Sequence, residues 1–488
     1  MTMRLKTNTT IQCQSYQATI NNKIYLRTIM WDGQKAIKIA QKYGATYCDI
    51  RTEQIKRQEI LIENGQLEQA SIQFDGGIGI RVLYDGAWGF FSTSDESKLE
   101  VGVASAIKAA KVTPKKNKVV LSEIPIHQKT VMYPVQIRPE IENIVKTAFD
   151  CDSIMKDNKK ISKRQVSAQI THTEKNFESS DGAAIIQNYT DCTIDLVATA
   201  HYDITQSVNI TEGGRGGLEK LGNAASSAKE ISDKAVSLLD AKSPKEEKTT
   251  LVMNPDFVAL LTHEILGHPS EADRVLGKEM AWAGGSWWSG MLGQKIGSES
   301  LSVVDDPTIS GSLGWYEYDD EGVKSQKKKL VENGILANHM HSRETAKIFD
   351  TTSNASMRAT SYHFMPLIRM ACTCIEPGDW NADEIIKDVK DGYYVSNMKV
   401  PSIDMKRHNW SISAQYANKI ENGEIKELLR DVIIVGTAPE FFSSIDACGK
   451  DFTIRPITNC GKGDPMQQMK MGNGGPTIRG VATIRGTG

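Results

Sequence analysis

Apolar positions recur at helical spacing in several stretches of the chain and alternate with polar ones in the stretches between them. Residues 32–43 place Ala36, Ile37, Ile39 and Ala40 on one side and stop at Gly44, which predicts a helix. Alternating runs follow at 46–52, 59–63, 66–73, 77–84 and 87–92, punctuated by Asn64-Gly65, Asp75-Gly76-Gly77 and Asp85-Gly86. That pattern predicts a meander of antiparallel strands. Residues 96–111 return to helical spacing, with Val101, Val103, Ala104, Ile107 and Ala110 expected inside. A helix, an antiparallel sheet and a second helix thus open the fold.

The stretch 113–139 carries lysines and four prolines, which favours an extended connector and a sub-boundary there. Beyond it, 140–157 reads as a helix, 164–176, 183–188 and 193–202 as strands, and 223–241 as an amphipathic helix. The run Glu212-Gly213-Gly214-Arg215-Gly216-Gly217 reads as a tight turn or loop; it lacks the spacing of a phosphate loop or a dinucleotide fingerprint. Short strands dominate the remainder, at 249–253, 300–305, 365–376, 393–395, 410–418 and 432–436, with a tryptophan- and glycine-rich loop at 280–297 suited to covering a cleft. The resulting expectation is an α+β protein with a polar extension over 1–28 and an N-terminal α/β domain over 29–240. A larger β-rich domain over 249–488 carries the helix described next.

That helix is the stretch NPDFVALLTHEILGHPSEADR. Asn254 suits an N-cap, Pro255 suits the first helical position, and Phe257, Val258, Leu260, Leu261 and Ile265 supply an apolar stripe. It ends in His263, Glu264 and His268, an H-E-x-x-x-H pattern one residue longer than the H-E-x-x-H of common zinc peptidases. On a regular helix, residues five apart point roughly 140° away from each other. Gly267 and Pro269 offer relief, through a distorted or left-handed glycine and a histidine pushed out of the α region, so that His268 falls on a π-like bulge or just past the helix end. Taken alone, the motif fits a metal site or solvated polar residues at a helix end. A third donor would decide between them, and Cys460, flanked by Gly461 near the C-terminus, is the candidate. His339, His341 and His363 are further nitrogen donors, read as structural or substrate-contacting. The Cys372-x-Cys374 pair is read as strand alternation rather than metal binding.

Composition narrows the classes of function. With 488 residues, 40% hydrophobic and 24% charged, the chain can bury a large core, and a net charge of -2 gives no general attraction to nucleic acid or to anionic membrane. No apolar run approaches the roughly 20 residues of a membrane span, and the N-terminus lacks the apolar centre of a secretory signal, so the expected location is the cytoplasm. The eight cysteines are scattered, unlike a disulfide framework.

The combination of HEILGHPSEADR, MLGQKIGSESLSVVDDP, IEPGD and CGKGDPMQQMKMGNGGPTIRG resembles the TldD/PmbA family of metallopeptidases, once called modulators of DNA gyrase. GGIGIRVLYDGAWGFFSTSD is similar to that family's opening domain, so the likeness runs from about residue 32 to the C-terminus. It is of the TldD type, since the PmbA (TldE) type lacks the H-E-x-x-x-H site. The resemblance implies one zinc per chain held by His263, His268 and Cys460, with Glu264 as catalytic base. It also implies cleavage of small or unfolded peptides, and a dimer formed with itself or with a PmbA/TldE-like subunit. A subunit that acts only by joining such a partner, and a hydrolase of non-peptide amides, are the alternatives. One segment departs from the family, KVPSIDMKRHN at 399–409, where a G-G-x-V-D-P-type stretch is expected. Substrate preference is the property this departure touches.

Overall fold

Alternation of apolar and polar side chains along four long strands builds the N-terminal half. In the computed structural model, which describes residues 31–114, 118–279 and 285–487, α1 (Gly33–Lys42) leads into β1 (Tyr47–Glu63), β2 (Gln66–Tyr84), β3 (Ala87–Thr93) and α2 (Leu99–Val112). There follow β4 (Gln128–Met132), α3 (Ile141–Lys156), β5 (Ile161–Ser179), β6 (Ala184–His201), β7 (Thr205–Arg215) and α4 (Ala224–Ser237). The strands form one sheet in the order β3-β2-β1-β5-β6-β4, with β7 also pairing with β6. The expected extension at 1–28 and residues 280–284 of the tryptophan-rich loop lie outside the described residues.

Even-numbered side chains of β1, β5 and β6, among them Cys48, Ile50, Ile60, Ile62, Val166, Ala168, Cys192 and Ile194, are buried on one face. Helices α1 and α2 cover one end of that face, and α3 and α4 cover the other. On α2 the inward residues are Val103, Ala106, Ile107 and Ala110, whereas Val101 and Ala104, expected inside, are exposed. The odd-numbered face, with Asp49, Arg51 and Glu53, turns toward the C-terminal half. There the acidic turn Asp319-Asp320-Glu321 is inserted: Arg81 pairs with Asp49 and with Glu321 at 3.3 Å, and Lys175 pairs with Asp320 at 2.9 Å. These charges are buried together, which makes each partner costly to remove.

Three local expectations fail here, two of them for one reason. Asp75-Gly76-Gly77 is the interior of β2, not a turn, and β1 and β2 pair continuously across it. A Cβ on Gly77 would lie 2.3 Å from the Tyr362 ring, so the glycine admits an aromatic side chain from the other half of the chain. Likewise Glu212–Arg215 belongs to β7, where a Cβ on Gly213 would meet Cys192 O at 2.4 Å and one on Gly214 would meet Gly311 O at 2.2 Å. Within the proline-bearing connector, residues 128–132 form β4 and join the sheet parallel to β6.

The C-terminal half begins with β8 (Glu247–Met253), which runs directly into α5 (Pro255–Thr262). Short strands β9 (Val303–Asp305), β10 (Lys328–Glu332), β11 (Ile335–Leu336), β12 (Met357–Arg358), β13 (Leu367–Ile368) and β14 (Cys372–Ile375) come next. They are followed by β15 (Asp391–Ile403), β16 (Asn409–Glu421), β17 (Glu424–Leu429), β18 (Val432–Thr437), β19 (Ala447–Cys448), β20 (Thr453–Lys462), β21 (Gln467–Gly475) and β22 (Ile478–Gly486). Strands β15, β8, β22, β18 and β16 pair in succession, and β16 pairs back to β15, closing a ring. A second sheet runs β11-β10-β9-β14-β21-β20. Helix α5 is wedged between the ring and this sheet, with Phe257, Val258 and Leu261 fully buried in the largest core. The fold is α+β, as the patterning implies. Among the described residues no helix is long and apolar enough to cross a membrane.

Candidate metal centre

Asn254 caps α5 by accepting a hydrogen bond from Phe257 N at 2.9 Å, and Pro255 occupies its first turn. The α-helix stops at Thr262, and His263–Gly267 form a π-helical turn in which His268 N donates to His263 O. A turn closed by bonds to the fifth residue brings residues five apart onto one side. That is how His263 and His268 come to face each other, ring centroids 4.9 Å apart.

The backbone route differs from the expected one. Gly267 and His268 are both right-handed helical, at φ -67° and -60°. Gly267 is needed instead for space, because a Cβ there would sit 2.0 Å from Met370 Sδ. Pro269 brings no N–H, and the π turn leaves carbonyls without helical donors. Trp287 Nε1 donates to Ile265 O at 3.0 Å and Arg407 to Glu264 O at 3.4 Å, so side chains from elsewhere complete the helix end.

Cys460 reaches the two histidines from β20. Donor atoms of His263, His268 and Cys460 all lie within 4.8 Å of one another, and all three residues are buried. Cys460 Sγ is 3.4 Å from His268 Nε2. The second ring nitrogens are engaged behind them. His263 Nδ1 lies 3.1 Å from Asn473 Oδ1, and the Asn473 amide in turn donates to Thr373 O. His268 Nδ1 lies 3.2 Å from Glu271 Oε2, which also accepts from Arg274 Nε at 2.8 Å and pairs with Lys462 at 3.2 Å. An acceptor behind each Nδ1 favours the tautomer that leaves Nε2 to a metal, and for His268 that acceptor is a carboxylate, as in the carboxylate-histidine pairs of metal sites.

The electrostatics match a cation-binding space. Burial opposes charge on His263, yet the adjacent Cys460 thiolate and Glu264 push its pKa up to about 9. Burial likewise disfavours the Cys460 thiolate, but both imidazoles and Arg369 hold its pKa well below the usual thiol value. Glu264 follows the same pattern: burial raises its pKa, and Arg407, with which it forms an ion pair, together with both imidazoles more than reverses that. The histidines, Glu264 and Cys460 line a cavity of about 640 Å³ whose other wall includes Lys399, Pro401, Met405 and Arg407. The divergent segment 399–409 therefore borders the site. His339 and His341 lie outside the cluster, their pKa values depressed by burial to about 4 and about 3, and His363 is half-exposed beside Asp75. Cys372 and Cys374 are buried thiols in β14.

Reading the sequence alone missed Glu271, Lys462, Asn473 and Arg407. Glu271 stands three residues after His268 and Lys462 two after Cys460, so both lay inside stretches already singled out. Arg407 lay in the divergent segment, with no local sign that it would meet Glu264.

Two imidazoles, a thiol and a carboxylate gathered at the floor of a cleft define a metallopeptidase-type enzyme with a His/His/Cys metal cluster. Comparison with known proteins gives the same class. Residues 246–482 match the model of the PmbA/TldA metallopeptidase C-terminal domain, and residues 48–111 match that of domain 1. A metalloprotease of Methanocaldococcus jannaschii is 32% identical over 446 residues, spanning 90% of this chain and 96% of that one. A zinc metalloprotease TldD homolog of Saccharolobus solfataricus is 28% identical over 456 residues, 91% and 97% of the two chains. The crystal structure of TldE from Thermococcus kodakarensis shares the fold, with a TM-score of 0.75 at 20% identity over 93% of this chain and 99% of that one. The chain belongs to the TldD/PmbA family of metallopeptidases.

Proposed function

We propose that this protein is a zinc-dependent peptidase of the TldD type, acting in the cytoplasm on small or unfolded peptides. One zinc per chain is held by His263, His268 and Cys460, with Glu264 as general base. The observation that carries this reading is the convergence of three buried donors, two from the end of α5 and one from β20, with both Nδ1 atoms already engaged behind them. Three protein donors leave a fourth position of a tetrahedral site open, as catalytic sites require. Zinc bound there supplies Lewis acidity toward the scissile carbonyl and toward water.

The chain's own residues do the remainder. The Glu264 carboxylate borders the cavity next to His263 and, kept ionised by Arg407, is ready to accept a proton from water and to pass it to the leaving amine. The cavity is of a size that takes a few residues of an extended peptide and no folded domain. For assembly we propose a dimer, with itself or with a TldE-like subunit, a reading supported by the fold shared with TldE.

Metal analysis of the purified protein should find one zinc per chain. Chelation should abolish peptide cleavage, and zinc should restore it. Glu264→Ala should keep the metal and lose cleavage by a factor on the order of 10²–10⁴. Undiminished peptidase activity in a metal-free preparation would falsify the reading. Light scattering of the protein alone and mixed with a TldE-like subunit separates the two assemblies.

A further inference from the structure

The N-terminal sheet and the β20–β21 ribbon enclose a second cavity of about 340 Å³. Thr458 lines both this cavity and the one holding the histidines. The strand pairing shows how one residue reaches two spaces. Ile457 pairs with Met471 and Cys460 with Met469, so Thr458 and Asn459 together face Lys470 across a β-bulge. Bulges re-aim side chains and cluster beside active sites.

Lys470 is the feature that ordinary packing does not explain. Its ammonium donates to Gln169 Oε1 at 2.6 Å and to Thr171 Oγ1 at 3.3 Å, both neutral, and among the described residues it forms no ion pair. Arg57, half-exposed at the edge of the same cavity, approaches Glu59 only at 4.0 Å. Of the other cations there, Arg215 pairs with Asp191 at 2.9 Å and Lys175 with Asp320 at 2.9 Å, whereas Arg358 donates to the Met370 and Lys470 carbonyls. Lys470 and Arg358 thus face the cavity with no ion pair among the described residues and Arg57 with only a long one, while the Glu53, Asp191, Asp319 and Asp320 carboxylates on its wall are engaged by Lys175, by Arg215 or by backbone N–H groups. Burial lowers the Lys470 pKa, partly countered by Asp191 and reinforced by Arg57, a cost that an incoming anion would remove.

We infer that this cavity is a subsite for a carboxylate of the peptide substrate, with Lys470 as its principal cation and Arg57 as a second at the edge. The inference rests on the peptidase reading, because it places the scissile bond in the neighbouring cavity. Met469 is the cross-strand partner of Cys460, and an extended peptide advances about 3.3 Å per residue, so the carboxylate belongs within a few residues of the cleaved bond. A C-terminal carboxylate and an acidic side chain share this chemistry.

The test is calorimetric titration of the full-length protein carrying Glu264→Ala, which prevents turnover. The probes are acetyl-penta-alanine as the free acid, its C-terminal amide, and the amide with glutamate as the last residue. At least one carboxylate-bearing peptide should bind on the order of tenfold more tightly than the plain amide, and which one does so identifies the source. Lys470→Met should bring that ratio close to one, and Lys470→Arg should restore it. If Lys470→Met fails to fold, Arg57→Gln at the exposed edge should lower the ratio about twofold to threefold. Equal affinity for acids and amide, or a ratio that survives Lys470→Met, overturns the subsite and leaves the peptidase reading standing. Absence of binding by all three peptides overturns both.

Discussion

Replacing Glu271 by Gln separates two tasks that one carboxylate performs. Glu271 Oε2 faces three groups at once: His268 Nδ1 at 3.2 Å, Arg274 Nε at 2.8 Å and Lys462 Nζ at 3.2 Å. Its side chain has no solvent exposure, and Lys462 has none either. The amide oxygen of glutamine can still accept from His268, so the ring keeps its tautomer. What is lost is the charge facing two buried cations. Removing one member of a buried pair costs roughly 3–5 kcal/mol. The lower end, about 3 kcal/mol, applies here, because Lys462 keeps Asp273 at 2.8 Å and Arg274 keeps Glu279 at 3.3 Å.

The metal-free variant should therefore unfold at a clearly lower urea concentration, and its zinc affinity, read by competition with a chromophoric chelator, should fall about 10–100-fold. The sign of the pH dependence follows from the Glu271 pKa. Burial raises it, but Lys462, His268 and Arg274 together hold it well below the ordinary value of 4.5. The carboxylate's contribution is complete above that value and is lost as the pH falls through the depressed one. The stability gap between parent and variant should be full at neutral pH and close in acid. A variant with parental zinc affinity and an unchanged urea midpoint would refute the role given to Glu271.

Three further outcomes are expected. Gly267→Ala places a Cβ 2.0 Å from Met370 Sδ and should cost about 1–3 kcal/mol in overpacking, and Met370→Ala should recover part of the loss; an additive double variant in urea unfolding would count against the contact. Arg407→Met removes the cation that draws the Glu264 pKa down, so the acid limb of the kcat/KM profile should move to higher pH; an unmoved or lowered limb would show that the ion pair does not govern the base. In the metal-free protein the contact with Cys460 draws the His263 pKa up to about 9, which favours a proton on the ring at neutral pH. Zinc binding must expel that proton, so the heat of titration in buffers of different ionisation enthalpy should report its release, and zinc affinity should fall as the pH is lowered.

The site was legible where its chemistry is local. The N-cap at Asn254, the start at Pro255 and the extra residue between His263 and His268 all stand in one short stretch, which places His268 on a π-like bulge or just past the helix end, and the π turn is what forms. The means could not be read locally. Gly267 is held close by Met370, and the carbonyls of Glu264 and Ile265 are completed by Arg407 and Trp287, from segments far apart in the chain. The same limit explains the misplaced turns. Gly77 and Gly213 have the composition of loops, but each admits a tertiary neighbour against a strand, the Tyr362 ring in one case and the Cys192 backbone in the other. Propensity reports what a glycine permits, and packing selects which permission is used.

The placement of the donors also explains why this site needs so much of the chain. β8 aims α5 from the closed ring, whereas Cys460 arrives on β20, at the edge of a different sheet. β21 ties the two together, pairing with β20 at Cys460 and delivering Asn473 to His263. Lys462, two residues beyond the thiol, anchors Glu271 behind His268. The two histidines are thus held with help from the Cys460 side of the site, His263 directly by Asn473 of β21 and His268 through Glu271, which Lys462 of β20 anchors. A shift of β20 relative to α5 would spoil both histidine orientations along with the thiol position, so metal affinity depends on how these two sheets pack and not on the H-E-x-x-x-H stretch alone.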